Sequence, residues 1–79
     1  MPLNLSDLTP GEQAYVVSIQ GDKPLAVRLL DMGFVPGTPL KMMLSAPSGD
    51  PMVICLRGYT LSLRHAEAAC IHISREAQP

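Results

Sequence analysis

The segment RLLDMGFVPGT, Arg28–Thr38, joins the end of an amphipathic helix to two chain reversals. Within it and just before it, Leu25, Leu29 and Met32 recur at the i, i+4, i+7 spacing of one helix face. Gly33 follows at the position just past the helix end, where a left-handed backbone is preferred and glycine adopts it without steric cost. The segment therefore predicts a short helix that stops at Gly33.

The residues after this glycine predict a tight corner. Phe34, the single phenylalanine of the chain, or Val35 can fold back onto the apolar face of the helix. Val35-Pro36-Gly37-Thr38 carries the signature of a type II turn, with proline and glycine at its two central positions. The chain is thus expected to pass from the helix directly into a new strand.

Short strands are predicted on both sides of this helix. Asp22 can cap its start, and Pro24 falls in its first turn, where a missing N–H costs nothing. The alternation of apolar residues changes phase at Val16 and Val17, which indicates a bulge or a barrel corner. RHAEAA, Arg64–Ala69, fits a single helical turn. The predicted strands are Ala14–Gln20, Pro39–Ser45, Met52–Arg57, Tyr59–Leu63 and Cys70–Ser74.

About five short strands, one amphipathic helix and one short helical turn predict a mainly β fold. Closing five strands into a small SH3-like barrel also removes exposed sheet edges. The 79 residues, with eight prolines and six glycines between short elements, suit one small β-rich domain. We assign this single domain to residues 1–75 and expect residues 76–79 to form a frayed C-terminal tail.

Composition argues against several classes of partner. The formal net charge is -1, the sequence pI is about 6.0, and the six basic residues are scattered, so we expect no nucleic-acid partner. No apolar run reaches about 18 residues, which predicts no direct membrane insertion. The N-terminal residues do not have the pattern of a signal peptide. The two cysteines would stay reduced in the cytoplasm.

Enzymatic activity is not expected. The sequence contains no phosphate-binding glycine-rich loop, no GxSxG motif and no recognisable pairing of a nucleophile with a base. A domain of this size also offers little depth for a pocket that excludes water.

Potential metal ligands occur without a metal-binding pattern. Cys55 and Cys70 are best interpreted as half-buried packing residues, and both histidines as solvated, because no CxxC or HxxxH pairing exists. The alternative is a weak surface or inter-subunit site for a divalent transition metal. Its candidate ligands are His65, Glu67, Cys70 and His72. No cofactor is required by either interpretation.

The segments LSDLTPGE, RLLDMGFVPGT, APSGDP and RGYTLSLRHAEA, followed by CIHI, occur in an order and spacing that resembles the FeoA family. The resemblance covers Leu3–Ile73. It implies an SH3-like barrel decorated with helices. It also implies a cytoplasmic accessory protein of FeoB, a membrane permease with a GTP-binding domain that imports Fe(II) in bacteria. The chain would then lie at the inner membrane through its partner.

The family resemblance and the positions of the apolar residues together suggest a partner-binding groove. Apolar side chains gather where helix and strands must diverge, and they could hold a partner segment. Met43 is equally consistent with an exposed position and with one covered by the helix. The predicted groove residues are Leu29, Met32, Phe34, Met43 and Tyr59, with a rim of Arg28, Arg57 and Arg64.

Three functions compete at this point. The leading hypothesis is an interaction module that docks on the permease and shifts its open or nucleotide-bound population. The second is a sensor or delivery protein for a divalent transition metal. The third, an RNA-binding small barrel, is opposed by the acidic pI and the scarcity of aromatic residues. The oligomeric state is left open, a homodimer included.

Overall fold

A computed structural model describes residues 3–77 and shows a mainly β architecture, as predicted. Two α-helices and one 3₁₀ turn, Leu5–Asp7, accompany the strands. In chain order the elements are β1 Leu3–Asn4, β2 Gln13–Ile19, α1 Lys23–Asp31, β3 Pro39–Ser45, β4 Met52–Leu56, β5 Tyr59–Leu63, α2 His65–Ala68 and β6 Ile71–Ser74. The five predicted strands, the helix and the helical turn are all present, with ends that agree to within about two residues.

One antiparallel sheet contains all six strands in the order β1-β6-β2-β3-β4-β5. The strand that the sequence did not predict is β1, which pairs through Leu3 with Ile73 and through Asn4 with His72. Two residues are too few to show the alternation by which strands are recognised. Within the predicted tail 76–79, residues 78–79 lie outside the described part, and the backbone N–H of Glu76 donates to Ser74 Oγ.

Two bulges bend the sheet. The register of β2 against β6 shifts between Val16 and Ser18, which confirms the predicted bulge. A second shift, which the sequence did not predict, lies between Met42 and Leu44 on β3 and leaves Met43 as the extra residue. Because each bulge reverses the facing of the residues that follow it, Leu44 points outward and is 54% exposed.

The helix begins and ends as its sequence predicts. Asp22 Oδ1 accepts the backbone N–H of Leu25 at 2.9 Å, and Pro24 lies in the first turn. At the other end, Gly33 takes a φ of +112° and donates its N–H to the Leu30 carbonyl at 3.0 Å, while Phe34 donates to the Leu29 carbonyl at 3.1 Å. This pair of bonds is a Schellman motif, which satisfies carbonyls that the helix end leaves free.

The reversal after the helix is also the predicted turn. Thr38 donates its N–H to the Val35 carbonyl at 3.0 Å, and Gly37 has a φ of +91°. The turn leads directly into β3 at Pro39 and lies beside β2, because Gly37 donates its N–H to the Val16 carbonyl at 2.7 Å. The type II turn therefore fixes where the helical segment rejoins the sheet.

The core is one apolar cluster inside the curled sheet. Phe34 and Leu29 from the helix corner are fully buried, and Leu25 and Met32 pack partly buried against the same cluster. The other large, fully buried side chains are Leu5, Val16, Met42, Ile54, Leu56, Leu63 and Ile71. They come from almost every strand, so one layer of side chains holds the sheet and α1 together.

Candidate functional site

The predicted groove is not open at the helix corner. Leu29 and Phe34 are both 0% exposed, so neither presents a surface to a partner, and this part of the groove prediction is wrong. The physical reason is the Schellman motif, which turns Phe34 back under the helix and packs it with Leu29 in the core. The side chains that were expected to line the groove fill it instead.

Tyr59 and Gly33 close the same corner from the sheet side. The Tyr59 hydroxyl donates to the Met32 carbonyl, which ties the end of α1 to the start of β5. A Cβ on Gly33 would lie only 3.0 Å from Leu56 Cδ2 and 3.3 Å from Tyr59 Oη. The helix end and the β4–β5 hairpin are therefore in contact, although Tyr59 remains 47% exposed.

The exposed groove candidates do not form one cavity. Met43, at the β3 bulge, is 42% exposed, whereas Met32 is half-buried. Tyr59 pairs with Leu56, and Leu56 pairs with Leu40, which lies three residues before Met43 on β3. Met43 and Tyr59 are thus two strands and three residues apart, and their side chains belong to different parts of the surface.

The three predicted rim arginines divide into two places. Arg28 forms an ion pair with Glu67, whose other carboxylate oxygen accepts the Arg64 backbone N–H at 2.9 Å. Arg28, Arg64 and Glu67 therefore meet between α1 and α2, beside Leu25. Arg57 lies apart from them, in the two-residue turn between β4 and β5.

The predicted metal ligands are engaged separately. Glu67 pairs with Arg28, the Cys70 thiol lies 3.5 Å from the Ala66 carbonyl, and His72 stands on β6 opposite Asn4. The backbone N–H of His65 donates to Asp50 Oδ1 at 3.0 Å. Among residues 3–77, no three His, Cys, Asp or Glu side chains are placed to share an ion. A weakly bound divalent metal stays a prediction.

A different surface collects polar groups, and the sequence did not indicate it. On the outside of the sheet, Gln13 of β2 stands opposite Lys41 of β3, which stands opposite Cys55 of β4. Tyr15 and Pro39 form the next pair on this side. Together with Arg57 they line a shallow depression with a volume of about 350 Å³. Register across three strands creates this arrangement, and no local spacing in the sequence reveals it.

Exposed apolar side chains continue this surface along β3 and β4. Met43 and Leu44 are 42% and 54% exposed, and Leu44 is paired with the half-buried Val53. We call the surface formed by Lys41, Met43, Leu44, Val53 and Cys55 the outer β3–β4 face. It combines apolar and cationic groups in one place, as many protein-binding surfaces do.

Comparison with known proteins identifies a family. The sequence model of the FeoA domain matches residues 3–75. A curated relative from Porphyromonas gingivalis (strain ATCC BAA-308 / W83), a fusion of Fe(2+) transport protein A with the Fe(2+) transporter FeoB, is 37% identical over 71 residues. That match covers 90% of this chain and only 8% of the fusion protein.

Solved structures agree with this assignment. The solution structure of a FeoA-like protein from Clostridium acetobutylicum superposes with a TM-score of 0.84 at 34% identity and covers 96% of this chain and 86% of that one. The zinc-complexed FeoA of Stenotrophomonas maltophilia, described as a prokaryotic SH3 domain protein, gives 0.82 at 29% identity, with 91% and 89% covered. The predicted SH3-like fold is confirmed. In the described part of the chain, no helix is long and apolar enough to cross a bilayer.

Proposed function

The chain belongs to the FeoA family, whose members take part in ferrous iron transport, and on that basis we propose that it binds a FeoB-type membrane permease and modulates its activity. It would be an accessory protein of bacterial ferrous iron uptake without an enzymatic activity of its own. We place it on the cytoplasmic side of the inner membrane, held there by its partner.

The fusion in Porphyromonas gingivalis carries this proposal. In that protein a sequence 37% identical to this chain is continuous with a FeoB transporter. A covalent link holds two modules at high effective concentration, and such a link favours modules that work on each other. Where the two are separate chains, the same association requires a docking surface on the smaller one.

We place that docking surface on the outer β3–β4 face. Met43 and Leu44 are exposed large apolar side chains at adjacent positions, because the bulge of β3 turns Leu44 to the side that Met43 already faces. Burying side chains of this kind against a partner is favourable by roughly 25 cal/mol per Å² of apolar area. Methionine also adapts its shape to a partner surface, since it is unbranched and flexible.

Modulation requires that the chain distinguish two states of the permease. A ligand shifts a conformational equilibrium only by the difference between its affinities for the two conformations. We propose that the chain binds one state of the permease's nucleotide cycle more tightly than the other. Affinity should therefore change when a guanine nucleotide is added.

Co-purification of the permease with the tagged chain tests this proposal, with and without guanine nucleotide. Met43→Asp should lower capture about ten-fold or more, because a carboxylate would be buried in the interface. Leu30→Asp is the matched control, since Leu30 on α1 has the same 42% exposure as Met43. The proposal fails if the wild-type chain captures no permease. The outer β3–β4 face is wrong if both variants behave alike.

A further inference from the structure

The depression on the outside of β2, β3 and β4 is lined by cationic and polar residues. Its lining residues include two cationic ones, Lys41 and Arg57, together with Gln13, Tyr15 and Cys55. Of residues 3–77, no aspartate or glutamate lines it. Ala14 and Leu40, which also line the depression, are buried, as is Leu56 on β4, so the core fills the space behind it.

Among the residues that the structure describes, neither cation is paired with a carboxylate. Arg28 is paired with Glu67, and Arg75 Nε lies 2.9 Å from Glu12 Oε2. In the described residues, by contrast, Lys41 and Arg57 have no carboxylate within ion-pair distance. The depression is therefore a local positive region on a chain whose formal net charge is -1. Such a region attracts an anionic ligand and speeds its association.

The backbone and one buried hydroxyl position Arg57. Arg57 and Gly58 have φ values of +52° and +85°, as a two-residue hairpin turn of type I′ requires. Arg57 Nη2 donates to Thr38 Oγ1 at 3.2 Å, and Thr38 is only 2% exposed. Because this partner is neutral, the bond orients the guanidinium without cancelling its charge. Its other N–H groups can bind a carboxylate in the bidentate geometry that arginine favours.

We propose that this depression binds an acidic peptide segment, with the carboxylate of an aspartate or glutamate held by Lys41 and Arg57. The depression, of about 350 Å³, is open to solvent and would leave much of a small molecule exposed, whereas one or two side chains of a peptide fit it. Tyr15 and Pro39 supply apolar contact on the same side, and the outer β3–β4 face continues from Lys41 to Met43. The assignment of this segment to the permease rests on the function proposed above. The binding of an acidic peptide rests only on the chemistry of the depression.

The first test uses a defined probe. The ¹⁵N-labelled chain is titrated with acetyl-hexaglutamate amide at low ionic strength, and acetyl-hexaglutamine amide is the control peptide. We expect the amide signals of Gln13, Lys41 and Arg57 to shift with the glutamate peptide only, and added salt to weaken binding. The proposal is overturned if the glutamate peptide does not bind, or if its shifts map elsewhere.

Two variants separate binding from folding. Lys41→Glu reverses an exposed charge. Arg57→Asn removes the guanidinium and places at a positive φ the residue type that type I′ turns prefer, so the hairpin is retained. Each should weaken peptide binding about five-fold or more. Lys23→Glu, an equal charge change on an exposed residue of α1, is the control and should have no effect. Equal weakening by all three variants would contradict a defined site.

The same three variants, presented to the purified permease and to phosphatidylglycerol vesicles, show where the segment comes from. Loss of permease capture in Lys41→Glu and Arg57→Asn alone supports both proposals. If the peptide binds and the wild-type chain does not capture the permease, the depression stands and the proposed function fails. If the permease is captured equally by all variants, the depression is not its docking site. If the chain binds the vesicles and not the peptide, the ligand is a lipid headgroup, and the proposal of an acidic peptide is overturned.

Discussion

The helix corner, Leu29–Phe34, and the outer β3–β4 face differ in how their residues come together. In the corner, the bonds that set the structure join neighbours in the chain, such as Phe34 to Leu29. On the outer face, Lys41 of β3 stands opposite Cys55 of β4, and on its other side it stands opposite Gln13 of β2. Leu29 and Phe34 of the corner are buried, whereas the outer face is exposed and, among residues 3–77, its Lys41 has no carboxylate within ion-pair distance.

This difference assigns the two regions separate roles. Apolar side chains near a helix end were expected to bind a partner, yet the structure uses Phe34 and Leu29 for the core. The surface that we propose for binding consists of side chains whose removal leaves the core intact. Substitutions of the buried corner residues Leu29 and Phe34 should therefore change stability, and substitutions on the outer face should change binding.

The largest expected effect is that of Phe34→Ala. Removing a fully buried aromatic ring leaves a cavity and should lower the free energy of unfolding by about 3–5 kcal/mol. Met43→Ala on the outer face should change it by less than about 0.5 kcal/mol, because Met43 is 42% exposed. Urea denaturation measures both. If Phe34→Ala does not fold, Phe34→Leu replaces it in the comparison, and a cost no greater than that of Met43→Ala would contradict the role of the corner.

A smaller effect on stability is expected at Gly33, where both the positive φ and the close approach of Leu56 favour glycine. Gly33→Ala should cost about 2–3 kcal/mol, because a left-handed alanine is strained and its Cβ would press on Leu56. Gly37→Ala is the control: its φ is also positive, at +91°, but a Cβ there meets nothing within 4 Å. We expect a cost of about 1 kcal/mol at Gly37, from the backbone alone. Equal costs in thermal unfolding would show that close packing at the corner contributes nothing.

The smallest effect concerns Glu12, which has one local and one distant partner. Its carboxylate accepts bonds from the N–H and hydroxyl of Thr9 at 2.7 and 2.8 Å, and from Arg75 Nε at 2.9 Å. The hydrogen bond from Arg75, followed by those from Thr9, lowers the pKa of Glu12 from 4.5 to about 2. The stability that these bonds provide is fully present above pH 4.5 and is lost as the pH falls towards 2.

Two variants test which partner contributes more to the lowered pKa of Glu12. Arg75→Gln should flatten the dependence of stability on pH between 4.5 and 2 more than Thr9→Val does, because the Arg75 hydrogen bond is the larger cause of the lowered pKa. Urea midpoints measured across this range at low salt provide the comparison, since salt screens exposed pairs. A flatter pH dependence for Thr9→Val than for Arg75→Gln would mean that the local turn, and not the distant arginine, holds the carboxylate ionised.

What the sequence predicted correctly depends on neighbouring residues. The Asp22 cap, the left-handed Gly33 and the turn at Pro36-Gly37 each follow from the local chemistry of a few adjacent side chains. The predicted bulge at Val17 follows from a visible change of phase. The mainly β fold could be inferred because these local signals all agree with one architecture.

What the sequence could not predict depends on register and on distant contacts. The bulge at Met43 lies where Leu40, Met42 and Leu44 recur at every second position without a change of phase. Nothing in the sequence therefore indicated that Leu44 would face outward. The ion pair of Arg28 with Glu67 joins residues 39 positions apart, and the bond from the Tyr59 hydroxyl to the Met32 carbonyl spans 27. The groove prediction failed because it required the packing of Phe34, which only the assembled core determines.

Fe(II) uptake by purified FeoB-type permease in liposomes, measured while the chain is added, tests the proposed modulation most directly. The uptake rate should change with chain concentration and saturate. Met43→Asp should abolish the change, and Leu30→Asp should retain it. An uptake rate that stays constant at chain concentrations that saturate binding to the permease would contradict a modulating role.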